Sequence, residues 1–181
     1  WFVHMVCTFI FIGMIPYTKL WHMVPSAFNI YARRFTAKAT PRSIDFEKVG
    51  DDVEYFGVKF TKDFSLKQRF DFSSCVECGI CQLACPAYAS DTKLNPKKVI
   101  VSLSQAMTKE LTSPEPVNVH EHVTAEELWA CTTCGACVEE CPVEINHIES
   151  IVDMRRFLVM SEGSLPKQSA SETIKKIQNN G

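Results

Sequence analysis

Three observations predict a mainly α-helical chain in which one membrane-type helix leads into a helical domain folded around cysteines. The first seventeen residues carry no charge, eight of the nine cysteines fall into two matching runs, and apolar residues elsewhere recur at helical spacing between recognisable start and stop signals.

The apolar opening comes first. Trp1 to Tyr17 contains no charged side chain, and apolar character continues past Lys19 to about Val24. Seventeen residues of helix cover about 25 Å, a little short of the roughly 30 Å hydrocarbon core. Snorkelling by Lys19, or residues upstream, extends this to a spanning helix. A signal peptide fits less well, because no basic stretch precedes the run and no small-x-small cleavage site follows it. Pro16 predicts a local kink rather than an end, since bundled membrane helices tolerate proline. Arg33, Arg34, Lys38 and Arg42 all precede the first acidic residue. By the positive-inside rule the rest of the chain lies on the cytoplasmic side of the cell (inner) membrane. Trp1, Trp21 and Tyr31 are candidate interfacial anchors in contact with membrane lipid, and Cys7, the ninth cysteine, is expected as a small buried hydrophobe. The chain opens inside an apolar segment and closes on a polar run, and it reads as part of a longer polypeptide.

Four segments follow from these signals: 1–34 as the last helix of a membrane domain, 35–64 as a connector, 65–163 as the cysteine domain, and 164–181 as a polar tail or linker. The connector holds a short strand at Glu54 to Phe60. Ser65 with Gln68 forms a capping box and opens a helix to about Phe72. Pro96 begins an amphipathic helix to about Leu111, with Ile100, Leu103, Met107 and Leu111 on its apolar face. Pro114 and Pro116 break the pattern. Thr124 with Glu127 is a second capping box, whose helix delivers Trp129 just before the second cysteine run. Val143 to about Met160 predicts a helix with Ile145, Ile148, Ile151, Val152 and Phe157 on its apolar side. Beyond Gly163 the composition predicts a polar tail, extended or mobile.

The cysteine runs are one motif twice: Cys75, Cys78, Cys81 and Cys85 followed by Pro86, then Cys131, Cys134, Cys137 and Cys141 followed by Pro142, offset by 56 residues. Each is the C-x2-C-x2-C-x3-C-P spacing of bacterial ferredoxins, which predicts two [4Fe–4S] clusters. Three cysteines two residues apart on a turning loop reach three corners of one cube. The fourth starts the next helical turn and serves the other cube. Cluster one therefore takes Cys75, Cys78, Cys81 and Cys141, and cluster two takes Cys131, Cys134, Cys137 and Cys85. Gly79 and Gly135 let the backbone pass close to sulfide, and proline after the fourth cysteine suits a helix N1 position. The competing assignment is two four-thiolate zinc sites, which ordinarily use paired C-x2-C knuckles instead. The 44 residues from Ala87 to Ala130 exceed what a minimal two-cluster protein needs, and their helices are expected to shield one side of the clusters.

His4 and His22 are 18 residues apart, five full turns of a straight helix, so both imidazoles would share a face about 27 Å apart along the axis. That geometry suits one axial ligand for each of two b-type haems, with partner histidines on other helices; hydrogen bonding to a neighbouring helix is the plainer alternative. Lys19, one turn from His22, is a candidate partner for a haem propionate or a quinone oxygen, against snorkelling to lipid phosphate. His120, His122 and His147 lack ligand-like spacing and are expected as surface or local structure. Arg155 and Arg156 are expected on a solvated or ion-paired face, with tuning of cluster potential as the sharper alternative.

The two runs, the stretch Tyr17-Thr-Lys-Leu-Trp-His22 with Val24-Pro25-Ser-Ala-Phe-Asn29, the stretch Leu128 to Pro142 and Asp153-Met-Arg-Arg156 together resemble the heterodisulfide-reductase-related membrane iron–sulfur oxidoreductases. The resemblance covers nearly the whole chain. It implies the C-terminal end of a transmembrane helical haem b domain, nitrate-reductase-gamma-like, followed by an α-helical dicluster ferredoxin-like domain. It also implies that His4 and His22 hold the two haem-ligand positions of the last long helix. Some members resemble electron-transfer-flavoprotein:menaquinone oxidoreductases.

The expected function is therefore an oxidoreductase component that relays electrons between a soluble flavoprotein or redox subunit and menaquinone or a similar quinone. A heterodisulfide or thiol–disulfide reductase component is the alternative within that class, and a non-redox, metal-stabilised assembly module the alternative outside it. A net charge of -2 with no basic excess argues against a nucleic-acid partner. No residue reads as a general acid, base or nucleophile, so no catalytic residue is expected here.

Overall fold

The computed structural model describes residues 1–32, 39–44, 54–112, 115–165 and 168–180, and the expected charges at Arg33, Arg34 and Lys38 lie outside them. Ten α-helices are described: α1 (Phe2–Met14), α2 (Met23–Tyr31), α3 (Leu66–Ser73), α4 (Ile80–Leu83), α5 (Pro86–Ala89), α6 (Pro96–Thr112), α7 (Ala125–Ala130), α8 (Ala136–Glu139), α9 (His147–Arg156) and α10 (Gln168–Asn180). Among the described residues there is no strand, only an isolated antiparallel bridge between Phe60 and Asn118. The strand expected at Glu54 to Phe60 is absent because Gly57 turns the chain at φ +86 against α9. A Cβ there would stand 2.3 Å from the Phe157 amide nitrogen and 2.6 Å from the Asp153 carbonyl oxygen. The adjoining Val58 amide donates to that Asp153 oxygen at 3.1 Å, so close approach, not pairing, organises this segment.

The N-terminal helix also differs from expectation. It does not run through Pro16: α1 ends at Met14, two 3-10 turns follow, and α2 restarts at Met23. The flanking pieces Phe2–Tyr17 and Leu20–Tyr31 are bent by 90°. Pro16 has no N–H to continue the α-helical ladder, and Thr18 turns extended, its side chain accepting from the Leu20 amide at 3.4 Å. No single described helix is long and apolar enough to cross a membrane, whereas the bent pair passes by length and composition together. None of the α1 residues is buried, so Cys7 is exposed rather than buried.

α2 docks on the cysteine domain through a buried polar knot. Asn29 Nδ2 donates to Asp71 Oδ1 and to the Val143 carbonyl, each at 2.8 Å. Lys67 Nζ bonds Asn29 Oδ1 at 2.7 Å and Asp71 Oδ1 at 2.5 Å. Nearby, the Ser26 hydroxyl lies 3.0 Å from the Ser74 carbonyl oxygen. Asp71 is fully buried, and burial pushes its carboxyl pKa up despite the ammonium of Lys67 and the amides around it.

Both capping boxes form, Ser65 with Gln68 and Thr124 with Glu127, fixing the starts of α3 and α7 directly ahead of the cysteine runs. Between them α6 buries Val99, Ile100, Leu103 and Ala106. Leu111, assigned to that face by periodicity, is exposed, lying at the helix end past the edge of the core. Phe72, Leu128, Ile151 and Met154 complete the centre of the core, each side chain worth about 1.5–3 kcal/mol on burial. The last core helix is shorter than its apolar pattern: Val143 to Asn146 is irregular, α9 begins at His147, and Phe157–Ser161 widens into a π-turn. The expected extended tail instead contains α10.

Candidate iron–sulfur centre

The two cysteine runs adopt the same backbone. Glu77 and Thr133, 56 residues apart, are both left-handed at φ 54 and 55, although neither is glycine. Gly79 and Gly135 follow, both at φ 81, and cap the short helices α4 and α8. This paired excursion is the conformation that lets successive N–H groups face inward toward negative charge. The Thr133 amide donates to Cys131 Sγ at 3.4 Å, and at Cys75, whose thiol pKa burial pushes up, a hydrogen bond from the Glu77 amide works in the opposite direction. Exposure repeats as well. The first cysteine of each run is partly buried, the second exposed, and the third and fourth buried.

The sets are crossed. Cys75, Cys78 and Cys81 line one cavity together with Cys141 from the other run. On the second side, Cys137 has Cys131, Cys85 and Cys134 as electrostatic neighbours, together with Cys81 of the first set. Burial first, and neighbouring sulfurs second, push the thiols of Cys81 and Cys137 up to about 12. Thiols so reluctant to ionise need a strongly cationic centre to become ligands. Among the described residues no three ligating groups converge closely enough to hold a single metal ion. Four sulfurs standing around a cavity, drawn from two loops with inward N–H groups, fit an iron–sulfur cubane better than a lone zinc ion. Pro86 occupies the first turn of α5 as expected. Pro142 instead sits in a turn, and Ile145 donates its amide to Cys141 Sγ at 3.4 Å.

Three residues near the sulfurs have roles that spacing alone concealed. His147, expected as surface or local structure, is buried, lines the cavity of Cys75 and Cys141, and has its pKa lowered by burial to about 4. Its Nδ1 lies 3.2 Å from the Ile145 carbonyl. Lys97 of α6 lines the same cavity. Among the described residues Arg155 forms no ion pair, in contrast to the ion-paired face expected for it. It donates through Nη2 to the Leu128 and Cys131 carbonyls, each at 2.5 Å, and its guanidinium lies 5.0 Å from the Trp129 ring. Arg156 does meet the expectation, pairing with Asp153 at 2.7 Å. Arg42 reaches over from the connector to the buried carboxylate of Glu149 at 2.7 Å. His120 is also partly buried, stacked on Phe157 at 5.1 Å.

His4 and His22 are not brought onto one straight helix, because the 90° bend falls between them. His4 is exposed on α1. His22 is partly buried and lines a cleft of about 610 Å³ with Trp21, Cys75 and the polar face of α6. The side chain of Lys19 lies outside the described residues.

Residues 71–145 match the family of 4Fe–4S dicluster domains. Over 93% of its length the chain is 35% identical to an EtfAB:quinone oxidoreductase of Syntrophomonas wolfei. It is 41% identical over 66% of its length to a probable membrane-anchored ferredoxin of Chromohalobacter salexigens. It is 33% identical over 61% of its length to one component of the dihydromethanophenazine:CoB–CoM heterodisulfide reductase of Methanosarcina barkeri. The chain spans 27%, 21% and 30% of these relatives, about a quarter of their length.

Proposed function

Because the chain carries a 4Fe–4S dicluster domain over residues 71–145 and is related to the heterodisulfide-reductase-related iron–sulfur oxidoreductases, we propose that it is the two-cluster limb of a membrane-bound electron relay ending at menaquinone or a similar quinone. The observation that carries this reading is the crossed grouping of Cys75, Cys78 and Cys81 with Cys141. Cys85 completes the second set with Cys131, Cys134 and Cys137 in the same way. When bound, the clusters supply one-electron carriage. The chain's own residues hold them, shield them with α6 and α9, and leave Cys78 and Cys134 at the surface, where a partner can approach.

The entry side takes a soluble flavoprotein or redox subunit, and the relative that is an EtfAB:quinone oxidoreductase supports that choice. The exit side faces the membrane. α1 exposes Phe2, Val3, Phe9, Ile10 and Phe11 with nothing packed on them among the described residues, a surface suited to lipid or to other membrane helices. The run of Arg33, Arg34, Lys38 and Arg42 in the sequence supports a cytoplasmic position for the iron–sulfur domain. Haem b, shared with other membrane helices, is the carrier expected beyond cluster one, with His4 and His22 as this chain's candidate axial ligands. The similarity to a heterodisulfide reductase component favours a second reading, in which the same relay ends at a disulfide.

Anaerobic purification of the membrane-bound protein, metal and sulfide analysis, and EPR after dithionite reduction test the proposal. Two interacting reduced-cluster signals that a menaquinone analogue reoxidises support it. Zinc without sulfide, or clusters that no physiological donor reduces, contradict it.

A further inference from the structure

We infer, on the relay reading above, that Lys97 is the residue that sets the reduction potential of cluster one. Its ammonium and the positive end of α6 act together on the charge that reduction adds there.

The start of α6 breaks a local rule. The first turn of a helix favours acidic side chains, because its unpaired N–H groups and the macrodipole make that end positive. α6 has no acidic residue in its first turn and begins Pro96-Lys97-Lys98 instead. The turn is otherwise regular, with Asn95 accepting from the Lys98 amide at 3.2 Å. Lys98 is compensated, its ammonium standing 2.7 Å from Glu127. Among the described residues Lys97 has no acidic partner. Two positive features thus coincide with no carboxylate to offset Lys97, the pattern of a position held for function rather than for helix stability.

The offsetting charge belongs to the cluster-one cavity. Lys97 lines it together with Cys75, Cys78, Cys81 and Cys141, the four sulfurs of one set. Among the described residues lining that cavity it is the only lysine or arginine. Glu77 lines it as well, but from the exposed loop, where water and salt screen its carboxylate. Lys97 is partly buried, and Val76, Val143 and Ile145 make the neighbouring walls apolar, so its field reaches the sulfurs with less screening.

The two halves of the domain differ here. The position 56 residues after Lys97 is Asp153, which pairs with Arg156, so the repeat supplies no second lysine. Arg155 reaches the other set from behind its loop, through the Leu128 and Cys131 carbonyls. Lys97 enters the cavity itself. The long connection between the runs therefore does more than shield: it brings a helix start and an ammonium to one cluster.

Reduction adds one electron from the donor to cluster one, with no bond made or broken and no proton bound. A fixed cation favours the more negative state. Cluster one is also the set whose Cys75 shares a cleft with His22, so Lys97 holds the electron on the side toward the N-terminal segment.

The test is an EPR-monitored redox titration of the full membrane-bound protein. The two reduced signals are assigned with Cys78→Ala, which removes a ligand of cluster one, and Cys134→Ala, which removes a ligand of cluster two. Lys97→Met is expected to disfavour reduction of cluster one at least about tenfold, about 59 mV for a one-electron couple, with cluster two unmoved. Lys97→Glu moves cluster one further in the same direction, and Lys97→Arg, which keeps the charge, leaves it near its original potential. Lys109→Met removes the same charge from the other end of α6, about 18 Å away, and moves neither cluster. Cluster one unmoved in Lys97→Met, or both clusters moved equally, overturns the assignment and leaves the relay standing. Absence of two reduced-cluster signals from the unaltered protein refutes the relay reading instead. If Lys97→Met does not assemble its clusters, Lys97→Gln, which keeps a polar end on the chain, is read by the same titration.

Discussion

Asn29 on α2 donates to the buried carboxylate of Asp71 on α3 at 2.8 Å, and the same amide group reaches the Val143 carbonyl, two residues past Cys141. One side chain thus ties the end of the N-terminal segment to both cysteine runs. Substituting Asn29 by Leu removes three hydrogen bonds, to Asp71, to the Val143 carbonyl and from Lys67, and leaves Asp71 and Lys67 to each other. A loss of about 2–4 kcal/mol is expected, seen as a lower urea midpoint. Asp71→Asn is expected to cost a similar amount, because it leaves the Lys67 ammonium facing a neutral amide. Stability unchanged in both variants would show that the knot is incidental.

Arg155 is expected to act on one cluster only. Its guanidinium is held against the Leu128 and Cys131 carbonyls. A fixed cation favours the more negative, reduced state. Arg155→Met should therefore lower the reduction potential of cluster two and leave cluster one where it was, as read by EPR-monitored redox titration. An equal shift of both potentials, or none, contradicts this. Arg156→Met, which breaks the pair with Asp153, is the control expected to move neither.

His147 gives the domain an acid-sensitive stability. Burial lowers its pKa from 6.5 to about 4, so the folded state holds the ring neutral while the unfolded chain protonates. Its contribution is complete above pH 6.5 and is lost as pH falls toward 4, up to about 3 kcal/mol. Urea midpoints of the cluster-loaded protein at pH 7.5 and pH 5 measure this. His147→Phe should flatten that difference; an unchanged pH dependence means another group is responsible.

Gly57 has no substitute in its place. The positive φ and the 2.3 Å approach to the Phe157 amide leave no room for a methyl group. Gly57→Ala is expected to cost at least about 2 kcal/mol, because the clash is with backbone that cannot swing aside. A thermal midpoint equal to that of the unaltered protein would contradict the packing described.

Where the sequence was legible, the signal was local. The cysteine spacing, Gly79 and Gly135, and the capping boxes of Ser65 and Thr124 act within a few residues, and the structure places them as the pattern implies. The illegible parts depend on distant groups or on a conflict between local rules. Pro16 and Thr18 end a helix that hydropathy alone would continue. His147 and Arg155 look like ordinary helix residues until α9 is seen to carry them to the sulfur cavity and to the Cys131 loop. The Glu54 to Phe60 stretch alternates like a strand, yet its geometry is dictated by contact with α9, about a hundred residues later.

The crossed grouping of sulfurs carries the whole account, and single-cysteine replacements read by EPR address it most directly. The account predicts that Cys141→Ala, a change in the second run, leaves the same residual cluster spectrum as Cys78→Ala, a change in the first, and that Cys85→Ala matches Cys134→Ala. If Cys141→Ala instead matched Cys134→Ala, each run would serve a cluster of its own, and the shared two-cluster core described here would be wrong.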